Sequence, residues 1–370
     1  MHYALRREKL AHELSRRKLD ALLVTHLPNI RYLCGFTGSA AALLISPEGA
    51  SLFTDGRYTQ QARAEAAGTR VVIQRASPLI AAADAARRHK LRRVGFEASH
   101  LTVAGRASLR RALGPKSLLR ETTGMVETQR QVKDASEMTV IRQAVNLGAS
   151  LLETALQVIR PGVAEAAVAA ELEYAARLAG AEGMSFETIV AAGPRSALPH
   201  GRASAALIPT RGFVILDFGV ILHGYCSDMT RTVHVGKASG AEREFYDAVR
   251  AAQQAAIAAV RAGVSCGRVD AAARNVLGHA GLARFFTHST GHGVGLEIHE
   301  APRLGRAQQE KLQTGMVVTI EPGVYVPAQS RPPWGGGRRV VGGVRIEDMV
   351  VVTEGGCDVL TPAPKDLLEL

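Results

Sequence analysis

The sequence predicts an α/β domain followed by an α+β domain with two similar halves, and three features carry that expectation. In residues 1–125 short apolar runs alternate with alanine-rich helical segments, the pattern of a small layered α/β domain. From Asp134 a long amphipathic helix begins. Beyond it, GFVILDFGVILHGYCSDMTRTVHV and GMVVTIEPGVYV…GGVRIEDMVVVT echo each other as apolar strand, turn and apolar strand. Each follows helical sequence and each carries two carboxylates. A helix-plus-hairpin unit used twice turns the acids of both copies toward one shared site.

The opening segment, MHYALRREKLAHELSRRKLDALLVT, reads as a surface helix leading into a strand, with Leu5, Leu10 and Leu14 on its apolar face. It has neither the unbroken apolar centre nor the cleavage site of a secretory signal. Strands are expected in DALLVTHL, AALLISPEGASLFTD, RVVIQ and RVGFE, with helices such as TQQARAEAAG between them. Residues 126–133 read as a linker, so the expected domains are 1–125 and 134–370. In VKDASEMTVIRQAVNLGASLLETALQVIRPG, Asp134 and Glu137 resemble a capping box, and Pro161-Gly162 closes the helix. Within the second hairpin, PAQSRPPWGGGRRVVGG is rich in Pro, Gly and Arg and reads as an excursion.

Composition narrows the function classes. A hydrophobic fraction of 46% and a charged fraction of 21% belong to an ordinary soluble chain. No apolar run approaches the roughly 20 residues that span a membrane. Cys34, Cys226, Cys266 and Cys357 are scattered without CxxC spacing, so core thiols in a reducing cytoplasm are expected rather than a disulfide framework. The net charge of +11 is uneven: residues 1–133 hold 23 Lys+Arg against 10 Asp+Glu, and the rest is slightly acidic. These basic residues are dispersed among alanines and leucines without interleaved aromatics. That is a solvated surface rather than a nucleic-acid interface.

Asp217 in VILDFG and Asp228 in YCSDMTRT sit inside apolar strands, where a carboxylate is costly to bury unless a cation neutralises it. A two-residue turn at Leu222-His223 places them directly opposite each other. A turn at His223-Gly224 makes them diagonal neighbours on one face. Either way two anions repel and one pKa rises, unless a cation lies between them. Glu321 in VVTIEPG and Glu347 in VRIEDM repeat the arrangement. Singly, each is an ordinary strand-edge acid; four of them in matching hairpins point to a site. In HSTGHGVGLEIHE, Gly291, Gly293 and Gly295 with β-branched Thr290 and Val294 oppose a helix. In an extended chain His288 and His292 share a side. One imidazole added to four carboxylates suits Mn²⁺, Co²⁺ or Zn²⁺ in a paired site better than a cysteine-type structural zinc site.

In chain order, ALPHG, DFG…YCSDMTRT, HSTGHGVGLEIHE, IEPGVY and GGVRIED resemble the motifs of the Xaa-Pro aminopeptidase and prolidase family of metallopeptidases. CGFTGSAAALLIS and LFTDGRYTQQA resemble that family's non-catalytic N-terminal domain, so the likeness covers nearly the whole chain. It implies a creatinase/prolidase-like α/β domain and a pita-bread α+β catalytic domain of two pseudo-symmetric halves. It implies two divalent metal ions held by Asp217, Asp228, His292, Glu321 and Glu347, with Asp228 and Glu347 bridging. Mn²⁺ is the first expectation, with Co²⁺ or Zn²⁺ as alternatives. A hydroxide bridging the ions would attack the bond before proline. The implied catalytic residues are Glu321 as proton carrier, His200 and His299 as donors to the developing oxyanion, and His288. The implied substrate-binding set is His200, His288, His299, Tyr325 and Arg345. An Xaa-Pro bond has no N–H, so the site must accept a rigid ring instead.

The resemblance also implies short peptide substrates with proline at the second position. It implies a homodimer or homotetramer in which Asp55, Arg57 and Tyr58 of a neighbour border the site. There are two departures. GPRS places Arg195 where many relatives have asparagine, which is expected to alter substrate access. Residues 327–343 form an insertion containing Trp334, Arg338 and Arg339, expected near the site entrance or as a surface loop. Likeness in the N-terminal domain favours an aminopeptidase acting on longer peptides. A dipeptidase confined to Xaa-Pro dipeptides is the alternative. A metal-free binding module of the same fold is the remote one, and the presence of all five ligands stands against it.

Overall fold

The structure, a computed structural model, describes residues 1–330 and 340–370. It divides into two compact units, Met1–Arg130 and Gln131–Leu370. Trp334, Arg338 and Arg339 of the expected insertion lie outside the described residues.

The first unit comprises α1 (Tyr3–Arg16), β1 (Ala21–Val24), α2 (Leu27–Cys34), β2 (Ala41–Ser46), β3 (Gly49–Asp55), α3 (Thr59–Glu65), β4 (Arg70–Gln74), α4 (Pro78–Arg88), β5 (Arg93–Glu97), α5 (Val103–Leu113), β6 (Leu118–Thr122) and the short α6 (Glu127–Gln131), which falls in the expected linker. One sheet, in the order β4-β3-β2-β1-β5-β6, contains all four expected strand runs. The β1–β2–β3 pairs are antiparallel and the outer pairs parallel. Edge strand β6 was not expected: of LLRET only Thr122 is buried, so it carries no apolar run. In α1 the buried face is Arg6, Leu10 and Leu14, whereas Leu5 is 50% exposed. The four-residue spacing, not hydrophobicity, selects that face. Arg6 is accommodated because its guanidinium donates to the Tyr32 carbonyl (3.0 Å) and lies 4.1 Å from the centre of the Tyr32 ring.

The second unit contains α7 (Ala135–Val158), α8 (Glu165–Leu178), β7 (Gly183–Met184), β8 (Ile189–Ala192), β9 (Gly212–Phe218), β10 (Val220–Leu222), β11 (Tyr225–Cys226), β12 (Met229–Val235), α9 (Gly240–Ala259), α10 (Cys266–His279), β13 (Gly291–Gly293), β14 (Glu300–Leu304), β15 (Val317–Ile320), β16 (Gly323–Val326), β17 (Gly342–Arg345), β18 (Asp348–Val352) and β19 (Cys357–Val359). It is two versions of one plan, a helix pair followed by a long hairpin. α7 and α8 cover β8, β9 and β12 through Leu151, Leu172, Leu216 and Phe218. α9 and α10 cover the second hairpin through Phe245, Leu277, Ile320 and Val350. The capping box of α7 is present, Asp134 and Glu137 each binding the other's backbone N–H. Cys34, Cys226 and Cys266 are buried free thiols and Cys357 is half-buried. Among the described residues no helix is long and apolar enough to cross a membrane.

Each long hairpin is broken where its acids lie. In the first, Leu222 pairs with Tyr225, so the turn is His223-Gly224. The same register continues to Met229↔Phe218 and Thr230↔Asp217, which makes Asp217 and Asp228 diagonal neighbours. In the second, Gly323↔Arg345 and Ile320↔Asp348 share one register, which sets Glu321 level with Glu347. The two pairs therefore do not repeat each other residue for residue: one is diagonal and the other direct. The turn explains the choice of register, for His223 (φ 46) and Gly224 (φ 81) are both left-handed, as a type I′ hairpin turn requires. Gly224→Ala adds a Cβ to a left-handed residue and is expected to destabilise the protein by about 1 kcal/mol, read as a lower urea midpoint. An unchanged midpoint would contradict this turn.

Candidate metal centre

Five side chains from both hairpins and from β13 meet in the second unit. Asp217 is the penultimate residue of β9, Asp228 precedes β12, Glu321 follows β15 and Glu347 precedes β18. Gly291, on β13 beside His292, must be glycine because a Cβ there would lie 1.9 Å from the Thr319 carbonyl oxygen. That close approach brings His292 against β15, where its backbone N–H donates to Thr319 Oγ1 (3.1 Å). The His292 Nε2 then lies 3.4 Å from Glu321 Oε1 and 3.7 Å from Asp228 Oδ2. Asp228, His292 and Glu347 each offer a ligand atom within 4.8 Å of the others. All five line a cavity of about 670 Å³, together with His200, His288, His299, Arg345 and Arg303.

The electrostatics of this cluster demand positive charge. Burial, then Glu347, Asp217 and Glu321, drive the Asp228 carboxyl well above the usual range. Burial, then Glu321 and Asp217, do the same to Glu347. Burial pushes Glu321 up to about 7 even though Arg345 opposes the rise. Arg345 is the guanidinium within the cluster, and its Nη2 donates to Asp217 Oδ2. The other oxygen, Asp217 Oδ1, is buried with no hydrogen-bond partner among the described residues. An orphaned carboxylate oxygen facing three further acids is a cation-binding arrangement.

The imidazole is set up for the same task. His292 Nδ1 lies 3.0 Å from the Gly293 carbonyl, so that nitrogen carries the proton and Nε2 presents its lone pair to the carboxylates. Burial lowers the His292 pKa, which keeps the ring neutral. The donor set is thus four carboxylates and one neutral imidazole, which fits Mn²⁺, Co²⁺ or Zn²⁺. The first unit holds another His–His–Glu group, His26, His100 and Glu127. There the two rings stack 3.6 Å apart at 7°, so their lone pairs lie in nearly parallel planes and do not converge on one ion.

Two expected site residues have other duties. Tyr325 is not among the residues lining the cavity; its hydroxyl accepts from Arg345 Nη1 (2.6 Å) and donates to His288 Nε2 (2.9 Å). The direction follows from His288 Nδ1, which must carry the proton it shares with the Ser289 carbonyl (2.8 Å). Both His288 nitrogens are therefore committed inside the protein, and burial followed by Arg345 pushes its pKa down to about 4. The ring offers the cavity a neutral wall rather than a proton donor. His299 packs edge-on against His292 with ring centres 4.4 Å apart, and His200 lies at the exposed rim. Arg195 binds buried Glu165 (3.0 Å) and is not a cavity-lining residue, so the expected effect on access has no direct contact behind it.

Sequence reading missed Thr230, Thr319 and Arg303. Thr230 Oγ1 donates to Glu347 Oε2 (2.7 Å) and accepts from Arg345 Nε (3.1 Å). Its signal was the strand alternation from Asp228, which puts residue 230 on the same face. Thr319 Oγ1 lies 3.4 Å from Glu321 Oε1. Exposed Arg303 enters the cavity because β14 pairs with β13 and sets it opposite His292, a register invisible in the linear chain.

The pKa directions set a pH dependence. Folded Asp228, Glu321 and Glu347 hold protons that the unfolded chain has released above about 4.5. Their contribution to the stability of chelated protein is therefore full at low pH and lost as pH rises through their raised pKa values, which for Glu321 means through about 7. His292, whose pKa is lowered, acts in the opposite sense. Added Mn²⁺ is expected to raise the thermal midpoint more at pH 8 than at pH 5, because protons compete with it. An equal rise at both values would contradict the cluster.

The chain matches Metallopeptidase family M24 over residues 139–354 and the Creatinase/Prolidase N-terminal domain over residues 6–132. YqhT of Bacillus subtilis strain 168, named an uncharacterized peptidase, is 39% identical over 363 residues, 98% of this chain and 99% of its own. A solved Xaa-Pro dipeptidase from Bacillus anthracis is similar with a TM-score of 0.93 and 38% identity over 100% of both chains. A solved X-Pro aminopeptidase from Thermotoga maritima MSB8 has a TM-score of 0.88 and 33% identity, covering 97% of this chain and 100% of that one. The protein belongs to metallopeptidase family M24 and joins a creatinase/prolidase-type N-terminal domain to a pita-bread metallopeptidase domain.

Proposed function

We propose that this enzyme hydrolyses the bond between an N-terminal residue and proline, with two divalent cations held by Asp217, Asp228, His292, Glu321 and Glu347. Asp228 and Glu347 would be the ligands common to both ions, and Mn²⁺ would be the first choice of metal. The observation that carries the proposal is the convergence of three buried carboxylates and the half-buried Glu321 on a neutral imidazole, with Asp217 Oδ1 left without a hydrogen-bond partner among the described residues. The names of the two solved relatives, a dipeptidase and an aminopeptidase for Xaa-Pro substrates, support the choice of bond. When bound, such cations supply Lewis acidity and a water acidic enough to attack near neutral pH.

The chain's own groups do the rest. Glu321 takes the proton of the attacking water and returns it to the proline nitrogen, which has none of its own. His200 and His299 face the cavity and donate to the carbonyl oxygen as negative charge develops on it. His288 walls the pocket for the ring, held by Tyr325, which Arg345 holds in turn. We place the enzyme in a reducing cytoplasm on its buried free thiols. The proposed assembly is a homodimer or homotetramer in which the turn Asp55, Arg57 and Tyr58 borders a neighbour's site; in this chain Asp55 is bound to Arg57 (2.9 Å) and Tyr58 to Ser39 (2.5 Å).

Peptide length has two readings. The N-terminal domain's likeness favours the aminopeptidase. Arg303 favours the dipeptidase: an exposed guanidinium in the cavity suits the free carboxylate of an Xaa-Pro dipeptide, which a longer peptide lacks at that point. Hydrolysis of Ala-Pro and Ala-Pro-Ala tests both. Activity is expected to vanish with chelator and with Asp228→Ala, and to return with Mn²⁺ only in the unaltered enzyme. On the dipeptidase reading Ala-Pro is preferred and Arg303→Met lowers its kcat/KM about 10-fold or more. Faster cleavage of Ala-Pro-Ala, with Arg303→Met silent, selects the aminopeptidase. Chelator-resistant hydrolysis, or none with metal present, refutes the metallopeptidase mechanism altogether.

A further inference from the structure

Behind the carboxylate cluster lies a second set of buried charges that the chemistry above does not use. Arg231 follows Thr230 on β12, is 2% exposed, and has all five N–H groups engaged. Nη1 donates to the carbonyls of Thr230 (2.9 Å) and Glu347 (2.6 Å). Nη2 donates to Asp348 Oδ1 (2.8 Å) and the Ala363 carbonyl (2.7 Å), and Nε to the Pro364 carbonyl (2.8 Å). Asp348 Oδ2 in turn accepts from Lys365 Nζ (2.5 Å) and Gln253 Nε2 (2.8 Å).

The pattern joins three separate stretches of chain. Thr230 lies two residues past Asp228 on the first hairpin, Glu347 belongs to the second, and residues 363–365 form a later segment laid across both. An ion pair as buried as Arg231–Asp348 adds little net stability over well-packed apolar residues of the same volume. Five fixed N–H···O contacts add geometry instead. A guanidinium sets angles as well as distances, which a lysine ammonium on a flexible stem does not.

We propose that Arg231, completed by the carbonyls of residues 363 and 364 and by the Lys365–Asp348 pair, is a positioning residue that fixes the separation of Asp228 from Glu347. It thereby sets the affinity for the cations those two carboxylates share. The proposal rests on the metal-centre reading and adds an outer clasp to it.

Co²⁺ is the probe, because its visible absorption reports ligand geometry independently of turnover. Chelated protein, Arg231→Lys and Lys365→Met are titrated with Co²⁺ in competition with a chelator, and their folds are compared by circular dichroism and thermal midpoint. Arg231→Lys is expected to fold and to bind Co²⁺ about 10- to 100-fold more weakly, with an altered spectrum. Lys365→Met is expected to shift both readouts in the same direction by less. Wild-type affinity and spectrum in a folded Arg231→Lys, whatever its midpoint, overturn the proposal and leave a purely structural clasp. If Arg231→Lys does not fold, Lys365→Met decides alone, an unchanged affinity overturning it. Failure of the unaltered protein to take up Co²⁺ refutes the metal-centre reading instead.

Discussion

Four carboxylates gathered around one imidazole, three of them buried and Glu321 half-buried, are the constraint from which the rest of this structure follows. Anions so placed repel one another and have given up their water, and Arg345 offsets only part of the charge. The fold tolerates the arrangement on two terms. Without metal the carboxyls hold protons well above their normal range; with metal, cations take the place of those protons. The function uses the second state, and the pH dependence of stability is the trace of the first.

The architecture delivers these groups by repetition. Each half gives a helix pair to support a hairpin, and each hairpin is interrupted beside its acids: Asp228, Glu321 and Glu347 lie between strands, Asp217 stays in the ladder next to the break, and all four line the cavity. The repetition is not exact. Asp217 and Asp228 are offset diagonally while Glu321 and Glu347 are level, and His292 from β13 and Arg345 from β17 join them. Around this sits a hydrogen-bonded frame. Arg345 links Asp217, Thr230 and Tyr325; Tyr325 holds His288; Thr230 holds Glu347. Such a frame keeps ligand atoms in place before any cation arrives, which is the condition for tight and selective binding.

Much of this was legible in the chain because it obeys local rules. Alternating apolar strands with alanine-rich helices gave the first sheet, and Asp134 with Glu137 gave the start of α7. Acids stranded in apolar runs gave the four candidate ligands. What was not legible depends on pairing across long sequence separations. The two possible turns around His223 could not be separated until the left-handed residues were located. Arg6 lies where the four-residue rhythm of α1 puts it, although leucine is the more apolar neighbour. Tyr325 and His288 belong to the motifs, yet only their mutual hydrogen bond shows that neither presents a free polar group to substrate. Arg303 lies outside the motifs, and Arg231, though inside YCSDMTRT, gives no sign there of its partners; register places the first, and a segment more than 130 residues away, at Pro364, completes the second.

The most direct measurement is anomalous diffraction at the manganese absorption edge from crystals of the protein equilibrated with Mn²⁺. The account predicts two strong peaks about 3.5–4 Å apart, enclosed by Asp217, Asp228, His292, Glu321 and Glu347. Peaks elsewhere on the molecule, or no peak within reach of these five side chains, would contradict it.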